Sequence, residues 1–237
     1  TALQNATLNT GAGVGTQAVT FTVAGTNTYN IGALGGADPI ALGGNSLSIG
    51  AKTGSHTFSA DISGSGGLTK VGSASTQTLA AATSYTGTTS INAGTLALGA
   101  GGALPASSNV TIAAGATFDV SALGTYTHGA SASLTASGSG TTPGGDAAEI
   151  KGGTTVNLGT RPVALNYSPD SFSGDSNDPA LYVSSGSLSL SGPVSIVNNG
   201  ASPLGNGTYT IISQATGTMT GSPTLSGTVG GNGIAAG

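Results

Sequence analysis

The chain has no cysteine and no tryptophan, a single methionine, and only four Lys or Arg and eight Asp or Glu in 237 residues. Without cysteine there is no disulfide scaffold and no thiolate metal site. Four basic residues and a formal net charge of -4 leave no basic face to neutralise phosphates, which removes nucleic acid as a partner. No stretch approaches the ~18 consecutive apolar residues of a membrane helix. Six Tyr and four Phe are too few for the aromatic girdles of an outer-membrane barrel, so no membrane insertion is expected. Charged residues make up 5% of the chain where about a quarter is usual. A folded surface must therefore be covered by hydroxyls and backbone. Disorder of the whole chain does not fit, because disordered chains pair low hydrophobicity with high net charge.

What the chain has in quantity is glycine, 43 residues of it, together with Ser, Thr and Ala. A pattern with the period of a helix is hard to find. Period-two alternation is common, as in Val19 to Val23 (VTFTV), His56 to Ile62 (HTFSADI), Thr95 to Leu98 (TLAL), Leu188 to Leu190 (LSL) and Thr208 to Ile212 (TYTII). These read as many short strands separated by Gly-rich turns.

A longer unit recurs within this alternation: an apolar residue, two or three small residues ending in Gly, then two apolar residues spaced by one. It occurs as Ile91, Gly94, Leu96 and Leu98, then as Ile112, Gly115, Phe118 and Val120. Further copies are Ile150, Gly153, Val156 and Leu158, then Val183, Gly186, Leu188 and Leu190, with a looser one at Leu42, Gly44, Leu47 and Ile49. Similar units joined by connections of varying length are the mark of a β-solenoid, in which apolar side chains point inward and insertions bulge out at corners. Glycine allows the positive-φ corners, and strands find their backbone partners in neighbouring coils. The sequence predicts one all-β solenoid domain over residues 1–237, with its clearest repeat at 64–99 and degenerate repeats at 42–49, 112–120, 150–158 and 183–190. Coils of about 22 residues at about 4.8 Å each give roughly ten coils and a rod of about 50 Å.

The segment Gly64-Ser-Gly66-Gly67-Leu68-Thr69-Lys70-Val71-Gly72, followed by Thr78-Leu79, Tyr85-Thr86-Gly87 and Ile91-Asn-Ala-Gly94-Thr95-Leu96-Ala-Leu98, resembles the autotransporter-associated β-strand repeat. That pattern runs GxGGLxKxG, TLxL, TYTG and [VI]xxGTLxLG. The Ala-Ala-Ala-Thr-Ser stretch between Leu79 and Tyr85 is shorter than the family's usual segment there. Gly207 to Ile212 is similar, less specifically, to strands near the end of such regions. The resemblance implies a right-handed parallel β-helix in a bacterial, exported, surface-displayed or matrix protein. It also makes Lys70 an outward strand residue. The start at Thr1 reads as a processed or trimmed chain, and the family's C-terminal translocator barrel is not recognisable before Gly237.

An enzyme is not expected. The acids Asp38, Asp61, Asp119, Asp146, Glu149, Asp170, Asp175 and Asp178 and the bases Lys52, Lys70, Lys151 and Arg161 form no catalytic motif, and no cofactor is called for. A polysaccharide-degrading β-helix would need carboxylates gathered on one face. Asp146, Glu149, Lys151 and Arg161 are the nearest to such a cluster and read as a solvated loop with an exposed ion pair. His56 and His128 read as strand or corner residues. Asp170, Asp175 and Asp178, with Asn177, could offer hard oxygens to calcium, but the same residues make an ordinary turn and no metal site is assigned.

The function expected is structural: an exported building block of an extracellular fibre, matrix or cell-surface stalk. The uncapped stretches Thr1 to Gly15 and Gly227 to Gly237 suggest end-to-end pairing of the chain with itself. The alternative is an adhesin passenger that binds cell-surface glycans, stacking them on Tyr126, Tyr167, Phe172 and Tyr182.

Overall fold

The computed structural model describes residues 3–11, 19–21, 25–139, 146–200 and 202–228, and their regular structure is entirely β-strand. Two sheets of nine strands each dominate. The first, face 1, runs in chain order through Thr28–Ile31, Ser46–Ile49, Leu68–Lys70, Thr89–Ile91, Val110–Ile112, Leu134–Ser137, Val163–Tyr167, Pro193–Asn198 and Thr224–Thr228. Face 2 runs through Gly54–Phe58, Ser75–Leu79, Thr95–Leu98, Thr117–Asp119 with Thr125–Thr127, Ala148–Gly159, Leu181–Leu190, and Ile212–Gln214 with Met219–Thr220. A three-stranded sheet of Val19–Thr20, Ile40–Ala41 and Ile62–Ser63 forms a short third side near the start, and Thr7–Asn9 pairs with Ala33–Gly35. Every pairing among the described residues is parallel, and each inner strand of face 1 pairs with the equivalent strands of the coils before and after it. This is the parallel β-solenoid that the sequence predicts.

In-register stacking turns the period-two pattern into columns. On face 1 the inward column runs Ile31, Ile49, Lys70, Ile91, Ile112, Ala136, Leu165 and Ile196. Its neighbour runs Tyr29, Leu47, Leu68, Thr89, Val110, Leu134, Val163, Val194 and Leu225. Each buried aliphatic side chain contributes about 1.5–3 kcal/mol of hydrophobic stabilisation. Between these two columns, the outward position is occupied by Asn30, Ser48, Thr69, Ser90, Thr111, Thr135, Ala164, Ser195 and Ser226, small residues without a charge. The shortage of charge in the composition thus has a place: this column of face 1 is mostly Ser and Thr.

The coils widen along the chain. Equivalent residues are 18 apart at Asn27 and Asn45, 21 apart at Gly87 and Ser108, 24 at Asn109 and Ser133, 29 at Ser137 and Asn166, and 31 at Ser187 and Thr218. Face 1 has nine strands rather than the ten or so expected, which at about 4.8 Å per strand makes a rod of about 40 Å.

The recurring units also do not form one stack. Ile91 lies on Ile112, and Ile150 lies on Val183, but Ile112 faces Ala136 and Ile150 faces Phe118. The units at 91 and 112 turn the corner between the two faces at Gly94 and Gly115, both at positive φ. Those at 150 and 183 lie within single long strands of face 2, and the looser unit ends on the face 1 strand Ser46–Ile49. Apolar-small-Gly-apolar is what any tight bend of a solenoid requires, so one pattern serves two different bends. Of the terminal stretches read as uncapped, 1–2, 12–15 and 229–237 lie outside the described residues.

Candidate functional site

The most unusual group in the interior is Lys70. Its place in an isoleucine column points its side chain inward, and it is 0% exposed, which corrects the expectation of an outward residue. Strand alternation explains the correction: Leu68 and Lys70 share the inward side and Thr69 has the outward one. The Nζ donates to the carbonyl oxygens of Val71 at 2.7 Å, Gly72 at 3.1 Å and Ala93 at 3.0 Å, and to Ser75 Oγ at 2.8 Å. Ser75 Oγ in turn donates to Gly50 O at 2.6 Å. The amine therefore ties three successive corners together, at Gly50, Gly72 and Ala93. All four partners are neutral, so burial lowers the lysine from its ordinary 10.5 to about 8.

Two further polar ties follow in the next few residues. Gln77, in an inward position on face 2, reaches past its register partner His56. Its Nε2 donates to Leu34 O at 2.9 Å, and its Oε1 accepts from Leu34 N at 3.0 Å. The side-chain amide thus stands in for a missing strand partner. Tyr85 OH meets Thr89 Oγ1 at 2.6 Å, Thr89 Oγ1 meets Ser108 Oγ at 2.9 Å, and Ser108 Oγ donates to Gly87 O at 2.7 Å. Burial pushes the Tyr85 phenol up to about 12, with the Thr89, Thr83 and Ser108 hydroxyls opposing it.

Of Asp146, Glu149, Lys151 and Arg161, read as a solvated loop with an exposed ion pair, Lys151 forms its ion pair with a residue outside the group. Lys151 pairs with Asp119 across adjacent coils, Nζ to Oδ2 at 3.1 Å, and Glu149 Oε2 accepts from Thr117 Oγ1 at 2.8 Å. Asp119 had not been singled out. Burial would raise its carboxyl, but the Ser121 hydroxyl and N–H and then Lys151 outweigh that and hold it below the usual range. His56 Nε2 lies 3.1 Å from Thr53 O in a local turn. His128 is buried, with Nδ1 3.0 Å from Tyr126 OH. Burial keeps it below the usual histidine range, helped by the charge of Arg161 and opposed in part by the Ser133 backbone.

Of the aromatics read as stacking platforms, Tyr126 and Tyr167 are buried in the core and are unavailable to a glycan. Phe172 and Tyr182 are half-buried. The Asp170, Asp175 and Asp178 loop is organised around one carboxylate. Asp175 Oδ2 accepts from Asp170 N at 2.9 Å, and its Oδ1 accepts from the N–H groups of Asn177 at 3.0 Å and Asp178 at 3.3 Å. Asp175 and Asp178 are buried while Asp170 is exposed. Both Asp175 oxygens thus serve the turn. Among the described residues, no group of three or more His, Cys, Asp or Glu is placed to hold a metal.

Burial raises Asp175, and the three backbone donors more than reverse this, so its folded value lies below the unfolded one. Its stabilisation is present above the unfolded value and is lost as pH falls through the folded one. Asp175→Asn is expected to lose at least one of the three charge-assisted bonds, at a cost of about 1.5–3 kcal/mol. Hydrogen exchange at the amides of Asp170, Asn177 and Asp178 should accelerate, and unchanged protection would show that the carboxylate does not hold the turn.

No protein-family model, curated protein or solved structure matches the chain. Lys70, Tyr85, Asp119, Lys151 and Asp175 each bond across coils or within a turn.

Proposed function

We propose that the chain is a structural rod: an exported β-solenoid unit of an extracellular fibre, matrix or cell-surface stalk that associates end to end with further copies of itself. The observation that supports this best is the use made of its polar side chains. Lys70, Gln77, Tyr85, Thr89, Ser108 and Asp175 are engaged in holding coils and turns, and face 1 presents a column of small uncharged residues to solvent. A stalk needs persistence, and ties between coils provide it.

End-to-end association is supported by the outermost strands of face 1. Thr28–Ile31 and Thr224–Thr228 each have one strand neighbour among the described residues, and neither strand carries a charge or a proline. Unpaired parallel edges of this kind accept further strands, and a head-to-tail contact between unlike ends propagates into a filament. The resemblance of 64–99 to autotransporter repeats and the lack of cysteine agree with export.

Negative-stain electron microscopy of the full chain over a concentration series tests the reading. Fibres that lengthen with concentration are the expected result. Single rods of about 40 Å at every concentration would overturn self-assembly. Reducing sugars or unsaturated products released from a glycan panel would overturn the structural role itself.

A further inference from the structure

The chain contains two Asp–Pro peptide bonds, at Asp38–Pro39 and Asp178–Pro179. Such a bond is the weak link of a polypeptide in acid. The aspartyl carboxyl reaches its own carbonyl carbon by closing a five-membered ring, and the proline nitrogen, a tertiary amide without an N–H, accepts a proton readily as it leaves. In an ordinary loop the reaction is slow outside strong acid, because it needs an undissociated carboxyl held against the bond.

The fold gives the two bonds different surroundings. Asp38 is half-buried, its N–H donates to Thr10 Oγ1 at 3.1 Å, and no acid among the described residues is hydrogen-bonded to its carboxyl. Asp178 is 6% exposed, and its carboxyl is hydrogen-bonded to that of Asp175, which is equally buried. Two carboxyl groups form such a bond only when one of them carries a proton. Asp175 already accepts from three backbone N–H groups, which favours its ionised form, so the shared proton rests on Asp178. The backbone is strapped on both flanks of the bond: the Asp178 N–H donates to Asp175 Oδ1 at 3.3 Å, and the Ala180 N–H donates to Ile211 O at 2.9 Å. The other titratable groups against this loop are the phenols of Tyr167 and Tyr209 and the exposed carboxyl of Asp170. None of these is a base that would draw the proton away.

We propose that the chain cleaves itself at Asp178–Pro179, with Asp178 as nucleophile and proton donor and Asp175 as the positioning residue that keeps the proton on it. An Asp178 carboxyl oxygen bonds to the Asp178 carbonyl carbon while the carboxyl proton passes to Pro179 N. The C–N bond then breaks, leaving Pro179 as a free secondary amine and Asp178 as a cyclic anhydride. Water from the side where Ser176 and Asn177 are exposed opens the anhydride to a C-terminal aspartic acid, so the sum is hydrolysis of one peptide bond. The pieces stay together. Leu181–Leu190 remains paired with Ala148–Gly159, and Pro193–Asn198 with Val163–Tyr167. The product is a nicked solenoid whose last coils are held by strand pairing alone, and its formation does not depend on filament assembly.

Intact-mass spectrometry of the full chain, incubated at a series of values from pH 4 to pH 7, tests the proposal. Fragments 1–178 and 179–237 are expected to form about a hundredfold faster than 1–38 and 39–237, the lower end of what a positioned acid contributes. Unfolding the parent in guanidinium chloride at the same pH should bring the two bonds to similar slow rates. Asp175→Asn should lower the rate at Asp178–Pro179 to near that at Asp38–Pro39 and give it the same pH profile, and Pro179→Ala should stop it. Equal rates at the two bonds in the folded chain would overturn the proposal. So would a difference that persists in guanidinium chloride, since it would belong to the local sequence and not to the fold, or a folded Asp175→Asn protein that cleaves as the parent does. If Asp175→Asn does not fold, the native and unfolded parent decide the question by themselves.

Discussion

Gly72→Ala is expected to destabilise the protein by about 3–5 kcal/mol, the sum of an unfavourable left-handed backbone and overpacking against a neighbouring coil. Gly72 has a φ of +81° at a corner of the solenoid, and a methyl group there would overlap the carbonyl oxygen of Gly50 in the coil before. It would also come within 3.2 Å of Ser75 Oγ, the hydroxyl that receives Lys70. Neither backbone can withdraw, because Gly50 and Gly72 belong to stacked corners joined by the Lys70 and Ser75 bonds. Gly124→Ala is the matched control, since a methyl group at that position meets nothing within 4 Å and its φ is not positive. Urea unfolding followed by circular dichroism should separate the two variants clearly. If Gly72→Ala stays within 1 kcal/mol of the control, by about the size of a typical surface effect, the close-packed corner is not a constraint.

The second large effect is alkaline stabilisation. In the unfolded chain Lys70 titrates near 10.5, and in the folded one near 8, because burial disfavours the ammonium. Between those values the unfolded state binds more protons than the folded state, so the free energy of unfolding rises with pH. Below about pH 8 both states carry the charge, and folding bears the full desolvation cost. From pH 7 to pH 10 the gain amounts to about 2–3 kcal/mol. The buried Tyr85 phenol works in the opposite sense at higher pH: its folded value near 12 exceeds its unfolded 10.0, so stability falls again as the unfolded phenol ionises. Urea midpoints measured from pH 7 to 10 should therefore rise, and in Lys70→Met the rise should vanish. An equal slope in both proteins would show that another group titrates.

The solenoid was legible because its repeating features are local. Alternation in His56–Ile62 and Thr95–Leu98 gives faces, and glycine at 94 and 115 gives corners, so a stacked β architecture follows without knowledge of any partner strand. Register was not legible in the same way. The units at 112 and 150 look alike, yet Ile112 packs on Ala136 because extra residues between 119 and 134 carry the chain through a second bend before it returns to face 1. Nothing in the local pattern distinguishes one glycine bend from another.

The interior polar groups show the limit more plainly. Lys70 sits where alternation alone would have placed it inside, but its charge and the family pattern argued for the outside. What decides the matter is a set of carbonyls from three coils, which exists only once the coils are stacked. Gln77 carried no signal, because its partner Leu34 is 43 residues away. Tyr126 and Tyr167 lie at alternating positions that stacking buries, and a sequence window cannot tell a loop tyrosine from one that fills a widened coil. Asp175 was visible as a turn residue. Its use of both oxygens on backbone amides could be known only from the folded loop.

The gradual lengthening of the coils also sets how the rod would respond to being pulled. Hydrogen bonds between parallel strands run along the solenoid axis, so tension on that axis loads every bond between two adjacent coils together. The number of bonds sharing the load follows strand length. At the wide end Ala148–Gly159 and Leu181–Leu190 offer ten or more residues each to that load, whereas near the start two-residue strands such as Ile40–Ala41 help to carry it. The rod is thus a graded spring, weakest where it is narrowest. Gln77 and Lys70, which bind across coils just beyond that weak end, stand where a tear entering from it would first be arrested.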